Sequence, residues 1–418
     1  MRILHLIQRY PPAIGGSENW AAALAARQAH AGHSVEVMTF DLLGEDEFWH
    51  PRLRNDRIPL PPDEVVEGVH VRRYAPVDLN PLQLSRSASP ALSSPKLDSV
   101  FAGVGSSLLS PPQSLGFYRD LPTSVRSADL VHLHAVPYPH VRAGYTAARA
   151  FRKPVVITPH FHEGEPTHER RWVKRILAHC DAVFTVTGWE KRTLTQRGVP
   201  EKNIHITGNA LTNEAMTCEK ARPIAAELRA RWGISENARL VSYLGRKVAA
   251  KGIETLLGAA PHLIAEHPDA RIILAGPGSN WFDKQLAGLP PTMRSVVVDA
   301  GVLEEEEKEA LLCESEVVVV PGTNEAFAIV ILEAWAAGTP VLASHTGALA
   351  EVVGDGGLLF EPGHTASLAS QAATLLSDEA LAKRLARIGA EKAQGRYSWD
   401  QIAEVVERVC ARLVPAAA

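Results

Sequence analysis

From Ala326 to Ser344 every residue is apolar, small or neutral, with Glu333 as the sole exception. A helix carrying Ile329, Val330, Ile331, Leu332 and Trp335 is too apolar to lie on a surface, so it is expected to be buried. An ionised carboxylate inside such a helix costs on the order of several kcal/mol unless it is paired or hydrogen-bonded. Glu333 therefore needs a polar partner that the neighbouring sequence does not supply, and a pair of ligand hydroxyls would serve. Glu325 lies eight positions earlier. There Thr323 and Asn324 are good capping types, and the free N–H groups of a first helical turn attract anions. Gly338 and then Pro340 close the helix.

A chain of 418 residues exceeds what one hydrophobic core comfortably serves, so two domains are expected. A hydrophobic share of 46% and a charged share of 22% are ordinary for a globular enzyme. The net charge of -4 argues against a nucleic-acid partner, which would call for a strongly basic face. Cys180, Cys218, Cys313 and Cys410 are far apart and make neither a zinc spacing nor a redox pair, which reads as reduced thiols in a cytoplasmic protein. The opening MRILHLIQRYPP is too short and too polar for a signal peptide, and no apolar run reaches the roughly 18 residues of a membrane span. Peripheral contact with a membrane surface is compatible with this; oligomeric state is not legible.

Along the chain, Arg2 to Ile7, the glycine loop PPAIGGSE, an Ala-rich helix from Asn19 to Ala31 and a strand from Val35 to Phe40 form a strand, loop, helix, strand series. Repetition of such units predicts an α/β fold with parallel sheets covered by helices on both faces. Gly15 and Gly16 let backbone approach a ligand, although the same pair also serves as a plain turn. Between about Pro76 and Leu121 a Ser- and Pro-rich passage reads as an insertion. The runs DLVHLHA and VVITPHFHEG are strands that each carry a histidine, His134 and His160, to the carboxyl edge of the sheet, where open α/β sheets bind ligands. The group His160, His162, Glu163 and His168 has irregular spacing and no clear further ligand, so no metal site is assigned. A charged helical segment after Leu211 suits an interdomain link, with the boundary near residue 222. In the second half Arg246 and Lys251 bracket the loop after the strand Leu240 to Gly245, a fork and a point charge that together suit a diphosphate. The strand RIILAGPG ends in a phosphate-permissive turn at Gly276, and the acids Glu304 to Glu307 favour the start of their helix.

Glu325, seven residues, Glu333, and then Ala-Xaa-Gly-Xaa-Pro-Val, with Gly-Arg, four residues, Lys-Gly at Gly245 to Gly252, resembles the donor-site signature of the retaining glycosyltransferases of family 4. The resemblance implies the GT-B fold, two Rossmann-like doubly wound domains facing a central cleft. It assigns residues 1–222 to the acceptor and 223–396 to the donor, with the final helix from Tyr397 returning to the first domain. It implies transfer of a sugar from a nucleotide-diphosphate sugar to an acceptor hydroxyl, by front-face displacement and without a metal or other cofactor. Arg246 and Lys251 would hold the diphosphate, Glu325 the sugar and Glu333 the ribose. The loop residues Ala326, Phe327, Ala328 and Ile329 would line the donor site together with Gly15, Gly16 and Gly276. His160 would orient the donor sugar, while His134 and Glu18 would lie beside the acceptor. The family usually has Gly where Ala326 and Ala328 stand. A sugar phosphorylase, a nucleotide-sugar epimerase and a non-catalytic nucleotide-sugar-binding subunit are the other readings, separable by phosphate consumption, by epimerised donor and by binding without turnover.

Overall fold

The computed structural model describes residues 1–44, 46–49, 51–77, 112–212 and 216–414. The chain divides into two compact units. The first comprises Met1–Thr185, Lys191–Thr207 and the chain from Ala403; the second comprises Val186–Glu190 and Gly208–Ile402. The division at Thr207 replaces the one expected near residue 222. The reason is that helix Cys218–Trp232 buries Ala221, Ala225 and Leu228 against Ala310 of helix Glu305–Glu314, within the second unit.

The first unit is built on eight strands: β1 (Arg2–Leu6), β2 (Ser34–Phe40), β3 (Asp63–Val66), β4 (Val69–Tyr74), β5 (Leu130–His134), β6 (Val155–Thr158), β7 (Ala182–Thr185) and β8 (Ile204–Ile206). Their order is β3-β4-β2-β1-β5-β6-β7-β8. Every pair is parallel except the β3–β4 hairpin. That hairpin turns on Glu67 and Gly68, both at positive φ, the geometry that a two-residue hairpin loop needs. The buried strands β6 and β7 are apolar runs ending in threonine because both faces are covered, whereas β5 carries two buried histidines among its apolar residues. Most of the passage read as an insertion, residues 78–111, lies outside the described residues. Its end is regular: Leu115–Ser127 is a helix capped by Ser114, whose Phe117, Leu121 and Val125 enter the core.

The second unit has six strands, all parallel: β9 (Arg239–Leu244), β10 (Ala270–Ala275), β11 (Val297–Gly301), β12 (Ser315–Val320), β13 (Val341–Ser344) and β14 (Gly357–Phe360). The order β11-β10-β9-β12-β13-β14 is that of a doubly wound nucleotide-binding domain, reversing direction between β9 and β12. Helix Val330–Ala336 packs Ile331, Leu332 and Trp335 into this unit's core, and Trp335 donates its indole N–H to the Gly356 carbonyl at 2.9 Å. Its end is a Schellman turn: Gly338 is left-handed, and the Thr339 N–H reaches the Ala334 carbonyl at 2.8 Å.

Cys180 and Cys410 are free and buried. Cys218 and Cys313, by contrast, are disulfide-bonded, with Cα atoms 5.4 Å apart, which corrects the reading of four reduced thiols. A separation of 95 residues hides a pairing that packing of the two helices creates. Among the described residues no helix is long and apolar enough to cross a membrane.

Candidate functional site

In the second unit the loops after β9 and β12 flank the point where the strand order reverses, the place where open α/β sheets bind nucleotides. After β9 the backbone passes through Gly245, and Arg246 is exposed. The Tyr243 hydroxyl donates to the Arg246 carbonyl at 2.8 Å, which fixes the loop at its root. A Cβ on Gly276 would meet the Gly245 carbonyl at 2.2 Å, so that glycine is required by the close approach of two loops. A Cβ on Gly252 would likewise meet the Pro321 carbonyl at 2.1 Å. This contact presses the Lys251–Gly252 corner, where helix Ile253–Glu266 begins, against the loop after β12. There Lys251 Nζ bonds Glu325 Oε1 at 2.6 Å, uniting the two motifs that the sequence left 74 residues apart.

The loop after β12 departs from expectation. The helix begins at Val330, with Ile329 as its N-cap, so Thr323 and Asn324 do not cap it and Glu325 does not lie at its first turn. Ala328 is the cause, because its φ of 64° is left-handed and interrupts helical geometry. Phe327 turns into the core, edge-on to Tyr397 at 5.2 Å, while Ala326, Ala328 and Ile329 stay half-buried. Glu333 is also half-buried, and it has a protein partner: Lys308 of helix Glu305–Glu314 donates to Oε1 at 2.9 Å. The polar partner expected for this acid from beyond its own stretch of sequence is thus a protein group, 25 residues away. Burial works against the Lys308 charge, but Glu333 and Glu305 outweigh it and raise its pKa. The four acids before Lys308 act as anticipated at the helix start, where Glu304 and Glu307 form a capping box.

In the first unit the reversal point lies between β1 and β5. Gly15 caps helix Gly16–His30. A Cβ on Gly15 would meet the Glu18 carboxylate at 2.2 Å, whereas one on Gly16 would meet nothing within 4 Å. Glu18 is buried and held by Arg9 at 2.7 Å, so it braces the glycine loop and does not present itself to an acceptor. His134 is also corrected: it is fully buried beneath the helix, two residues after His132 on β5, and His132 is in register with His5 of β1. His5 Nδ1 and His134 Nε2 are 2.9 Å apart, His5 Nε2 meets Gln28 Oε1 at 2.8 Å, and His132 Nε2 meets Thr158 Oγ1 at 2.8 Å. Among the described residues these three are the group whose ligand atoms come together, within 4.8 Å. However, the His132 and His134 rings stack at 4.1 Å, and no carboxylate joins the group to offset a cation's charge in this dry core. The geometry fits mutually hydrogen-bonded neutral imidazoles better than a metal centre.

His160 follows β6 with a left-handed φ of 47°. It is half-buried, edge-on to Trp20 at 5.9 Å, and its Nε2 is enclosed without a protein hydrogen bond. Burial, reinforced by His162, lowers its pKa to about 3, so it is neutral near pH 7. Strain at a residue with an unmet ring nitrogen is the pattern of a functional position. Lys308, Lys247, Arg9 and Trp20 were not singled out from sequence. Lys308 left a faint signal, as the lone cation following four acids.

Two family models match the chain side by side: Glycosyltransferase Family 4 over residues 14–212 and Glycosyl transferases group 1 over residues 225–392. A glycogen synthase of Mycobacterium tuberculosis is 29% identical over 430 residues, covering 98% of this chain and 94% of the relative. A D-inositol 3-phosphate glycosyltransferase of Streptomyces bingchenggensis is 29% identical over 314 residues, 68% of this chain and 66% of that one. Among solved structures, Anabaena HepE in complex with UDP and glucose superposes with a TM-score of 0.69 at 18% identity, covering 99% of this chain and all of the other (100%).

Proposed function

The chain belongs to family 4 of the glycosyltransferases, of GT-B fold, and on that premise we propose how its residues divide the work of moving a sugar from a nucleotide-diphosphate donor to an acceptor hydroxyl with retention. The observation that carries the reading is the Lys251–Glu325 pair, a lysine and a glutamate side by side at the strand-order reversal, to which we assign the diphosphate and the sugar respectively. In the resting protein each neutralises the other. On donor binding the Lys251 ammonium turns to the diphosphate and Glu325 accepts hydrogen bonds from sugar hydroxyls.

Departure of the nucleoside diphosphate leaves negative charge on the β-phosphate oxygen. Arg246, Lys251 and the amides opening helix Ile253–Glu266 are the groups assigned to stabilise it, and preorganised donors of this kind act most strongly where water is excluded. Glu333, oriented by Lys308 on one oxygen, accepts from the ribose hydroxyls with the other. The neutral His160 imidazole is assigned a hydrogen bond to the reacting sugar. The cations of the clamp supply the charge that a metal would otherwise bring, so turnover is expected to survive chelation. UDP and UDP-glucose are the first ligands to try, because the HepE structure holds UDP and glucose.

The experiment is a donor panel of UDP-, ADP- and GDP-sugars, incubated with glycan, inositol phosphate and lipid acceptors, with release of nucleoside diphosphate and the anomeric configuration of the product followed by NMR. Acceptor-dependent release with the donor's configuration retained is expected. Inversion, or consumption of free phosphate, would contradict the proposal.

A further inference from the structure

Lys247 stands next to Arg246, yet its side chain points the opposite way: Arg246 is exposed, whereas Lys247 is among the largest fully buried side chains, with 1% of its surface open. Its ammonium forms an ion pair with Asp299, in the middle of β11, and lies 4.9 Å from the centroid of the buried Phe282 ring. Replacing a buried ion pair with apolar groups of similar size is commonly neutral or stabilising, so stability alone gives no reason for a lysine here.

The surrounding bonds show what this lysine holds. Its N–H donates to the Pro277 carbonyl at 2.7 Å, and its own carbonyl accepts from the Ser279 hydroxyl at 2.6 Å. Ser279 also caps helix Asn280–Ala287 by accepting from the Phe282 N–H at 3.2 Å. Asp299 accepts in addition from the Gly301 N–H at 3.1 Å, and the Gly276 N–H reaches the Gly301 carbonyl at 2.6 Å. The Lys247–Asp299 pair thus ties together the loops that leave β9, β10 and β11, three neighbouring strands.

We propose that Lys247, through Asp299, is a positioning residue for donor binding: the inward ion pair anchors the loop from Gly245 to Gly252 so that Arg246 and Lys251 are presented to the donor's diphosphate. Lys247 itself touches no ligand. The inference rests on the donor reading above and adds a residue to it. A tight turn centred on Lys247, closed by the Val248 N–H on the Arg246 carbonyl at 3.0 Å, leaves Lys247 buried and Arg246 exposed, so fixing Lys247 inward fixes Arg246 outward before the ligand arrives, which removes an ordering cost from binding.

The test uses the full chain and titrates UDP, ADP and GDP against their nucleosides, with thermal unfolding recorded for each variant. Lys247→Met is expected to keep the unfolding temperature and the nucleoside affinity within about twofold while losing about tenfold or more for the diphosphate, the scale of coupling between contacting groups. Asp299→Asn is expected to act in the same direction, and the double variant to be no weaker than Lys247→Met alone, because both act through one pair. Should Lys247→Met fail to fold, Asp299→Asn carries the test on its own, since that carboxylate is already 35% exposed. Undiminished selectivity for diphosphate over nucleoside, equal loss for both ligands, or additive losses in the double variant would overturn the positioning role and leave the donor reading standing. A wild-type protein that binds none of the three diphosphates would overturn both.

Discussion

Ala328 shows how one side chain sets the geometry of a site. At φ 64° an L-residue pays about 1–2 kcal/mol that glycine does not, and the interruption delays the helix until Val330. Ala328→Gly is therefore expected to raise the urea midpoint by the equivalent of about 1 kcal/mol, after glycine's greater freedom in the unfolded chain is subtracted. A lowered midpoint would mean that Ala328 is not strained. The two acids separate by ligand. Glu333→Gln is expected to weaken nucleoside and nucleotide sugar alike, whereas Glu325→Gln should chiefly weaken ligands that carry the sugar, as read by calorimetry. His160→Ala is expected to keep nucleotide affinity but lose about a hundredfold in turnover, the scale of one lost electrostatic donor. Because His160 is neutral down to about pH 3, no step near pH 6.5 in the wild-type rate profile should trace to it. Glu325, Arg246 and Lys251 were legible in sequence as spaced motifs. Their direct pairing was not, because it depends on Gly252 letting two loops touch.

At the level of elements, helix Gly16–His30 and strands β1 and β5 enclose His5, His132 and His134, and the buried His140 donates to the His134 carbonyl at 2.8 Å. Burial lowers the pKa of His5, opposed by Gln28, and of His140 to about 4, and holds His132 and His134 well below the usual 6.5. These groups are neutral when folded but take up protons when unfolded, so their contribution to stability is complete above about pH 6.5 and is lost as the pH falls toward 4 and below. The slope is up to about 1.4 kcal/mol per pH unit for each group in that window. The first unit is expected to melt progressively earlier from pH 6.5 to 4, and His132→Gln should flatten the dependence; a midpoint independent of pH would contradict this. The sequence placed His134 on the correct strand but on the wrong side of the boundary between surface and core. Strand periodicity gives the face, while the depth beneath Trp20 and its helix is a tertiary property. The disulfide was hidden for a similar reason. Cys218→Ser is expected to cost about 4.7 kcal/mol of stability, the chain-entropy cost of opening a loop near 100 residues, with dithiothreitol producing the same loss in the wild type and none in the variant.

For the molecule as a whole, alternating strands and helices were enough to foretell two parallel-sheet units, because most of the buried strands announce themselves as apolar runs. The antiparallel hairpin of β3 and β4 escaped notice, since β3 is a largely exposed edge with no apolar periodicity. The return of the final helix to the first unit was anticipated, although the division falls at Ala403 and not at Tyr397, whereas the assignment of Val186–Glu190 to the second unit escaped notice, because so short a segment carries no pattern of its own. The central claim is that the second unit holds the diphosphate of a sugar nucleotide between the loops after β9 and β12. The direct measurement is calorimetric titration of wild type, Arg246→Ala and Lys251→Ala with UDP and with uridine. The account predicts that UDP binds the wild type more tightly than uridine does, and that each variant loses on the order of tenfold or more for UDP with little change for uridine. Equal affinity of wild type for the two ligands, or equal losses for both in the variants, would contradict it.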